Sequence, residues 1–147
     1  MKEVKAQRIE LATDRLIIRS PQERDVHDIF VLMSDREIAA ITGFRPMGTL
    51  SEAEGKIRRD MNSGLMFCIS EEGLPEKVLG VFEVTPHKTN TVSGEKCNYE
   101  ICYFLHKEAR GKGYMMEVVE RMKRYLFDER MADSLTIAVL PRNDASR

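Results

Sequence analysis

The 147-residue sequence predicts an α+β domain in which helices pack on a mixed, mostly antiparallel sheet with one parallel strand pair. Three observations carry this expectation. Compact apolar runs at residues 65–69, 78–84 and 99–105 follow one another with polar joints between them, which reads as an antiparallel meander. Ahead of them, apolar residues recur at helical spacing. Behind them, a helix-period segment and one more apolar run make strand, helix, strand, the pattern of a parallel crossover.

Taken in order, residues 1–14 are polar without sustained periodicity, so the fold is expected to begin at Arg15-Leu16-Ile17-Ile18-Arg19, an apolar run between charges that forms a first strand. After Ser20-Pro21, Val26, Ile29, Phe30 and Met33 follow the spacing of an amphipathic helix ending near Ser34. Residues 38–46, with Gly43 and Pro46, read as an irregular connection. Two overlapping capping boxes, Thr49-x-x-Glu52 and Ser51-x-x-Glu54, open a second helix with Leu50, Ala53, Ile57 and Met61 on one side and Asn62-Ser63-Gly64 as its stop. The polar loop 71–77 joins the first two meander strands, and residues 86–96, with Asn90, Ser93 and Gly94, are expected to be a loop before the third. A helix over 112–127 presents Met115, Val118, Val119, Met122 and Leu126, and a strand over 135–140 ends at Pro141.

The composition, 42% hydrophobic and 32% charged, suits one domain over residues 1–147. With 23 Lys+Arg against 24 Asp+Glu the formal charge is −1, so the chain is not built to coat polyanions, and neither nucleic acid nor a membrane is expected as partner. The basic stretch Arg121-Met122-Lys123-Arg124 reads as the solvated face of its helix. No apolar run approaches the roughly 20 residues of a membrane span, and the first residues lack the apolar stretch of a secretory signal, so a cytoplasmic protein is expected. Cys68, Cys97 and Cys102 form no C-x-x-C pair and read as free thiols without a role. His27, His87 and His106 lack metal-ligand spacing, so no metal is predicted.

The informative segment is Lys107-Glu108-Ala109-Arg110-Gly111-Lys112-Gly113-Tyr114, between a predicted strand and a predicted helix. Its glycines allow a tight turn and leave amide N–H groups outward at the helix entrance. The helix dipole and the charges of Lys107, Arg110 and Lys112 then favour a phosphate or pyrophosphate. A P-loop is excluded, because His106 stands at its leading glycine and Gly113 at its Ser/Thr. A dinucleotide fingerprint is excluded by Met116 at its third glycine. A glycine turn with a solvated basic rim remains the plain alternative.

Arg110-Gly111-Lys112-Gly113-Tyr114-Met115 resembles the R/Q-x-x-G-x-G/A acetyl-CoA loop of the GNAT N-acetyltransferases. Residues 13–19, the helix after Ser20 and Glu100-Ile101-Cys102-Tyr103-Phe104-Leu105 are similar to the branch that includes the ribosomal-protein N-terminal (alanine/serine) acetyltransferases, as is Asn143-Asp144-Ala145-Ser146 to its N-x-x-S segment. The resemblance spans residues 13–147 and implies the acyl-CoA N-acyltransferase fold. It also implies acetyl transfer from acetyl-CoA to a primary amine, on a protein N-terminus or a small molecule. Phe104 and Leu105 would hold the pantetheine arm through their main chain, Arg110, Gly111, Lys112, Gly113, Tyr114 and Met115 would cradle the pyrophosphate, and Asn143 would be a further cofactor contact.

In that chemistry Glu100, at the start of the central strand, is the carboxylate placed to take the amine's proton; the alternative is an exposed strand-end residue or ion-pair partner. Tyr103 points to the opposite face and reads as packing. Met115 stands where the family prefers Gly or Ala, and Cys102 where the branch has Gly. In the family the N-x-x-S segment leads into a helix, often bearing the tyrosine that protonates the thiolate, and two more strands. About 30 residues of that pattern do not follow Arg147, which leaves Ser146 as candidate acid. A CoA-binding protein or fragment without turnover is therefore the second reading. An uncovered sheet edge in such a chain would favour dimerisation.

Overall fold

The computed structural model describes residues 8–42 and 45–137. Among these residues six strands form one sheet in sequence order: β1 Glu10–Ala12, β2 Leu16–Arg19, β3 Met66–Glu71, β4 Gly80–Thr91, β5 Gly94–Leu105 and β6 Ser134–Ile137. Neighbours are antiparallel except β5 and β6, which run parallel from Asn98↔Ser134 to Ile101↔Ile137. The helices are α1 Val26–Met33, α2 Arg36–Thr42, α3 Leu50–Asp60 and α4 Tyr114–Asp128. The mixed sheet with its single parallel pair is the class the sequence predicts. The last three residues of the expected strand 135–140 lie outside the described residues.

Several local expectations are corrected. The fold begins before Arg15, because β1 pairs with β2 through Leu11↔Ile18, and Ser20 Oγ accepts from the Ile9 N–H at 2.9 Å. Three residues are too few for periodicity to show, and only the partner strand makes them a strand. Part of the expected irregular connection 38–46 is helical in α2. Asp35 Oδ1 accepts from the N–H groups of Glu37 (2.8 Å) and Ile38 (3.2 Å), a capping signal that the nearby Gly43 and Pro46 obscure.

The expected loop 86–96 is the outer half of a long hairpin. β4 and β5 stay in register from Gly80↔Leu105 to Thr91↔Gly94, with Val92-Ser93 as the turn. Thr91 Oγ1 donates to the Gly94 carbonyl at 2.6 Å, and Gly94 supplies φ 123°. This end of the hairpin is mostly exposed, so ladder bonds alone hold it and no apolar alternation is needed.

The central part of the sheet is buried on both faces. On one, α4 seats Tyr114, Val118, Met122, Tyr125 and Leu126 against Ile18, Phe67, Ile69, Phe82 and Ile101. Met115 and Val119 of the expected face sit half-buried at its margin. On the other, α1, α2 and α3 bring Ile29, Leu32, Ile38, Ala53 and Ile57 onto Met66, Cys68, Val81 and Phe104. Burial on both sides explains why β3 reads as a continuous apolar run.

Thr49 Oγ1 accepts from Glu52 N–H, so the first capping box starts α3, while Ser51 lies inside the helix. Leu50 is exposed, which corrects its place on the buried side. A buried ion pair fastens the start of α1 to the sheet: Arg19 Nη1 and Nη2 donate to Asp25 Oδ2 and Oδ1 at 2.8 and 2.9 Å.

Candidate active site

The end of β5, the glycine turn after it and the first turn of α4 converge on one rim of the sheet. Beyond Leu105 the chain makes a short 3₁₀ turn, Lys107–Ala109, then passes through Gly111 (φ 79°) and Gly113 (φ 78°) into α4. Only glycine adopts this left-handed backbone without strain, and two such residues aim the intervening amides outward. The first backbone bond into α4 is Glu117 N–H to the Gly113 carbonyl at 3.2 Å, so the amides of Tyr114, Met115 and Met116 have no intrahelical acceptor. These donors, the helix dipole and the nearby Lys107, Arg110 and Lys112 suit a pyrophosphate. Met115 turns against the core rather than into the turn.

A frame that sequence reading did not find holds this turn. Arg15 donates from Nη1 to the Lys112 carbonyl at 3.0 Å and from Nε to Glu117 Oε1 at 2.8 Å, and its guanidinium lies 4.7 Å from the Tyr114 ring centre. Glu117 also accepts from the Arg15 N–H at 3.0 Å and from the Thr13 hydroxyl. Burial alone would push the Glu117 carboxyl up, but the bonds from Thr13 and Arg15 hold it below the ordinary range. Tyr114 Oη donates to Glu71 Oε2 at 2.6 Å. The available signal was Glu117 in the first helical turn, which was read only as part of the helix.

Arg110 is not splayed toward the turn. Its Nε donates to the Leu105 carbonyl at 3.1 Å and its Nη1 to Glu37 Oε1 of α2 at 3.0 Å. The guanidinium therefore sits across the end of β5, beside the main chain that the resemblance assigns to pantetheine. Within the described residues β6 pairs with β5 only as far as Ile101, and β5 runs on through Phe104 and Leu105 to the turn. Tyr103 stacks on Phe82 at 5.9 Å between ring centres, in keeping with a packing role.

Glu100, Cys102 and Phe104 alternate onto the face covered by α1–α3, joined there by Glu83 of β4, which stands opposite Cys102. The Glu100 side chain is 44% exposed, and its Oε1 lies within hydrogen-bond distance of His87 Nε2, at 2.9 Å, so the carboxylate is both partnered and accessible. Glu83 is more enclosed: Oε1 takes Lys56 Nζ at 3.4 Å, while Oε2 is buried without a hydrogen-bond partner among the described residues. Burial pushes its carboxyl up, with Lys56 pulling the other way. Burial also pushes the Cys102 thiol up to about 11, with Glu83 and Glu100 adding to the effect, so it stays protonated at neutral pH and is a poor nucleophile. Sequence reading passed over Glu83, although a carboxylate interrupting the apolar run 78–84 was a visible signal. Asn143 and Ser146 lie outside the described residues.

A mixed sheet with one parallel pair, whose central strand ends at a glycine-rich, basic helix entrance, defines the class of acyl-CoA N-acyltransferase folds. The chain belongs to the acetyltransferase (GNAT) domain family, which matches residues 15–147, and its reaction class is acetyl transfer from acetyl-CoA to an amine. Solved structures share the fold. An acetyltransferase (GNAT family) from Bacillus anthracis superposes with a TM-score of 0.79 at 18% identity, covering 94% of this chain and 78% of its own. The ribosomal-protein-S5-alanine acetyltransferase from Vibrio fischeri gives 0.69 at 18% identity, with 94% and 78% covered. A spermidine N-acetyltransferase from Vibrio cholerae, in complex with CoA and spermine, gives 0.68 at 17%, with 83% and 69% covered. No curated protein matches it in sequence. Among the described residues, no helix is long and apolar enough to cross a membrane.

Proposed function

We propose that this chain acetylates a primary amine, on a protein N-terminus or a small molecule, in the cytoplasm. The observation that carries the reading is the turn from Gly111 to Tyr114, whose two left-handed glycines and helix-entrance amides are clamped by Arg15 and Glu117. In this reading the amides from Gly111 to Met115, with Lys112, hold the pyrophosphate of acetyl-CoA, and the main chain of Phe104 and Leu105 lines the pantetheine arm. The Arg110 guanidinium must leave the Leu105 carbonyl for that carbonyl to accept from the arm, and it then faces the anion. Asn143 is a further cofactor contact and Ser146 the acid for the departing thiolate.

Acetyl-CoA supplies the thioester; the protein's part is to bind, orient and move protons. Glu100 accepts the ammonium proton, directly or through water, and the neutral amine then attacks the carbonyl carbon. Collapse of the tetrahedral adduct expels CoA as thiolate, which takes a proton from Ser146 while the nitrogen sheds its remaining proton and restores the hydroxyl, with no acyl-enzyme on Cys102. A homodimer is the proposed assembly, tested by light scattering, where a monodisperse monomer counts against it.

The test is thiol release from acetyl-CoA with a panel of primary amines, beside CoA titration by calorimetry. Binding with release establishes the enzyme. Binding without release for any acceptor leaves a CoA-binding protein, and the absence of both binding and release refutes the site.

A further inference from the structure

Leu105 is the last residue of β5, and the direction of its carbonyl follows from its neighbour. The His106 N–H donates to the Leu79 carbonyl, just ahead of β4, at 2.6 Å. By strand alternation the Leu105 carbonyl points the other way, toward the edge along which β6 pairs further back on β5. An extended ligand adds to a strand at such an edge. Here the position is already taken, because Arg110 Nε donates to that carbonyl at 3.1 Å.

A guanidinium on a flexible stem keeps one geometry only when more than one acceptor holds it. The second acceptor is Glu37 of α2, whose Oε1 receives Arg110 Nη1 at 3.0 Å. Glu37 is itself placed by its main chain, since its N–H donates to Asp35 Oδ1 at 2.8 Å. Its side chain is 53% exposed, so its carboxylate has no burial that requires a partner. The protein thus carries an internal anion on the guanidinium that the pyrophosphate is proposed to face.

Resting on the acetyltransferase reading above, we infer that Glu37 is an autoinhibitory positioning residue: it holds Arg110 over the Leu105 carbonyl and opposes the cofactor at both groups. When the cofactor binds, the guanidinium turns from Glu37 to the pyrophosphate, and the freed carbonyl accepts from the pantetheine arm. The measured CoA Kd is then the intrinsic value divided by the fraction of molecules whose carbonyl is free, and loss of Glu37 raises that fraction. An exposed ion pair contributes little, which sets the gain at about twofold to fivefold.

Calorimetry of CoA on the whole chain and its variants tests this. Glu37→Gln is expected to bind CoA about twofold to fivefold more tightly than the wild type, and Arg110→Gln about tenfold more weakly, through loss of a charge-assisted contact. Adding Glu37→Gln to Arg110→Gln should change nothing further. That comparison separates the latch from plain charge, because removing a carboxylate near an anion site tightens binding through space whether or not Arg110 is present. Glu37→Asp keeps the charge and shortens the reach, so it should give part of the gain. In thiol-release assays Glu37→Gln lowers the acetyl-CoA KM by the same factor and leaves the acceptor KM unmoved.

An equal CoA Kd for the wild type and Glu37→Gln overturns the latch and leaves the cofactor reading standing. The same gain in the Arg110→Gln background also overturns it. No CoA binding by either the wild type or Glu37→Gln overturns the latch together with the acetyltransferase reading on which it rests.

Discussion

Replacing Asp25 by Ala should unfold the protein at a markedly lower temperature, and the structure sets the size of the effect. Asp25 is fully buried and takes two bonds from the Arg19 guanidinium, at 2.8 and 2.9 Å, plus one from the Gln22 N–H at 2.7 Å. The Arg19 side chain is itself only 4% exposed. Removing the carboxylate leaves a cation stranded in the interior, a change that costs about 3–5 kcal/mol in comparable buried pairs.

Two carbonyls still face the guanidinium, Pro75 O at 3.0 Å and Ser20 O at 3.3 Å, which favours the lower part of that range. Against a total stability of roughly 5–15 kcal/mol this is a large loss, equal to a Tm fall of about 6–20 °C for a chain of this size. Thermal unfolding followed by circular dichroism reads it directly. Arg19→Met with Asp25→Leu should recover most of the loss, since no charge is then buried. The exposed Lys123–Glu120 pair, 3.7 Å apart, is the control: Glu120→Ala should move Tm by about 1 °C or less. A fall under about 2 °C for Asp25→Ala, or a double variant no better than the single, refutes the reasoning.

Other perturbations test the site. Gly113→Ala forces an L side chain into a left-handed backbone at φ 78°, which should cost about 1–2 kcal/mol in urea unfolding and weaken CoA in calorimetry; unchanged affinity would separate the turn from the cofactor. Glu117 is held below its ordinary carboxyl range in the fold, so its contribution is present above the unfolded carboxyl pKa and is lost as pH falls through the lower folded value. Urea unfolding of Glu117→Gln should show less acid-side loss of stability than the wild type, and an identical pH profile would count against the Arg15 frame. With its thiol pushed up to about 11, Cys102 should react with iodoacetamide at pH 8 some hundredfold or more slower than a free cysteine, and mass spectrometry after acetyl-CoA should find no acetyl group on it.

The cofactor turn was legible because everything that makes it is local. Two glycines, three basic residues and the start of a helix lie within eight consecutive positions from Lys107 to Tyr114. The residues that clamp the turn were not legible in the same way, because Arg15 and Glu117 are 102 positions apart and meet only when β2 docks beside α4. The hairpin segment 86–96 reads as a loop for a related reason. Periodicity reports a buried face, and this end of the ladder has little to bury.

Glu100 was singled out for its place at the head of an apolar run, and it does face the layer of α1–α3. That Glu83 on the neighbouring strand is the more enclosed carboxylate follows from the register Glu83↔Cys102, which no single segment encodes. Arg110 shows the same division: its presence beside the glycines is read from the chain, but its bonds to the Leu105 carbonyl and Glu37 depend on where α2 lies.

By itself the sequence determined the strand and helix periods, the anion-binding turn and the family, since these rest on dihedral preferences and residue order within a few positions. The tertiary structure alone decided which side chains share a face, which carboxylate is enclosed and what frames the turn. Those depend on strand register and on desolvation, and both are set by residues far apart in the chain.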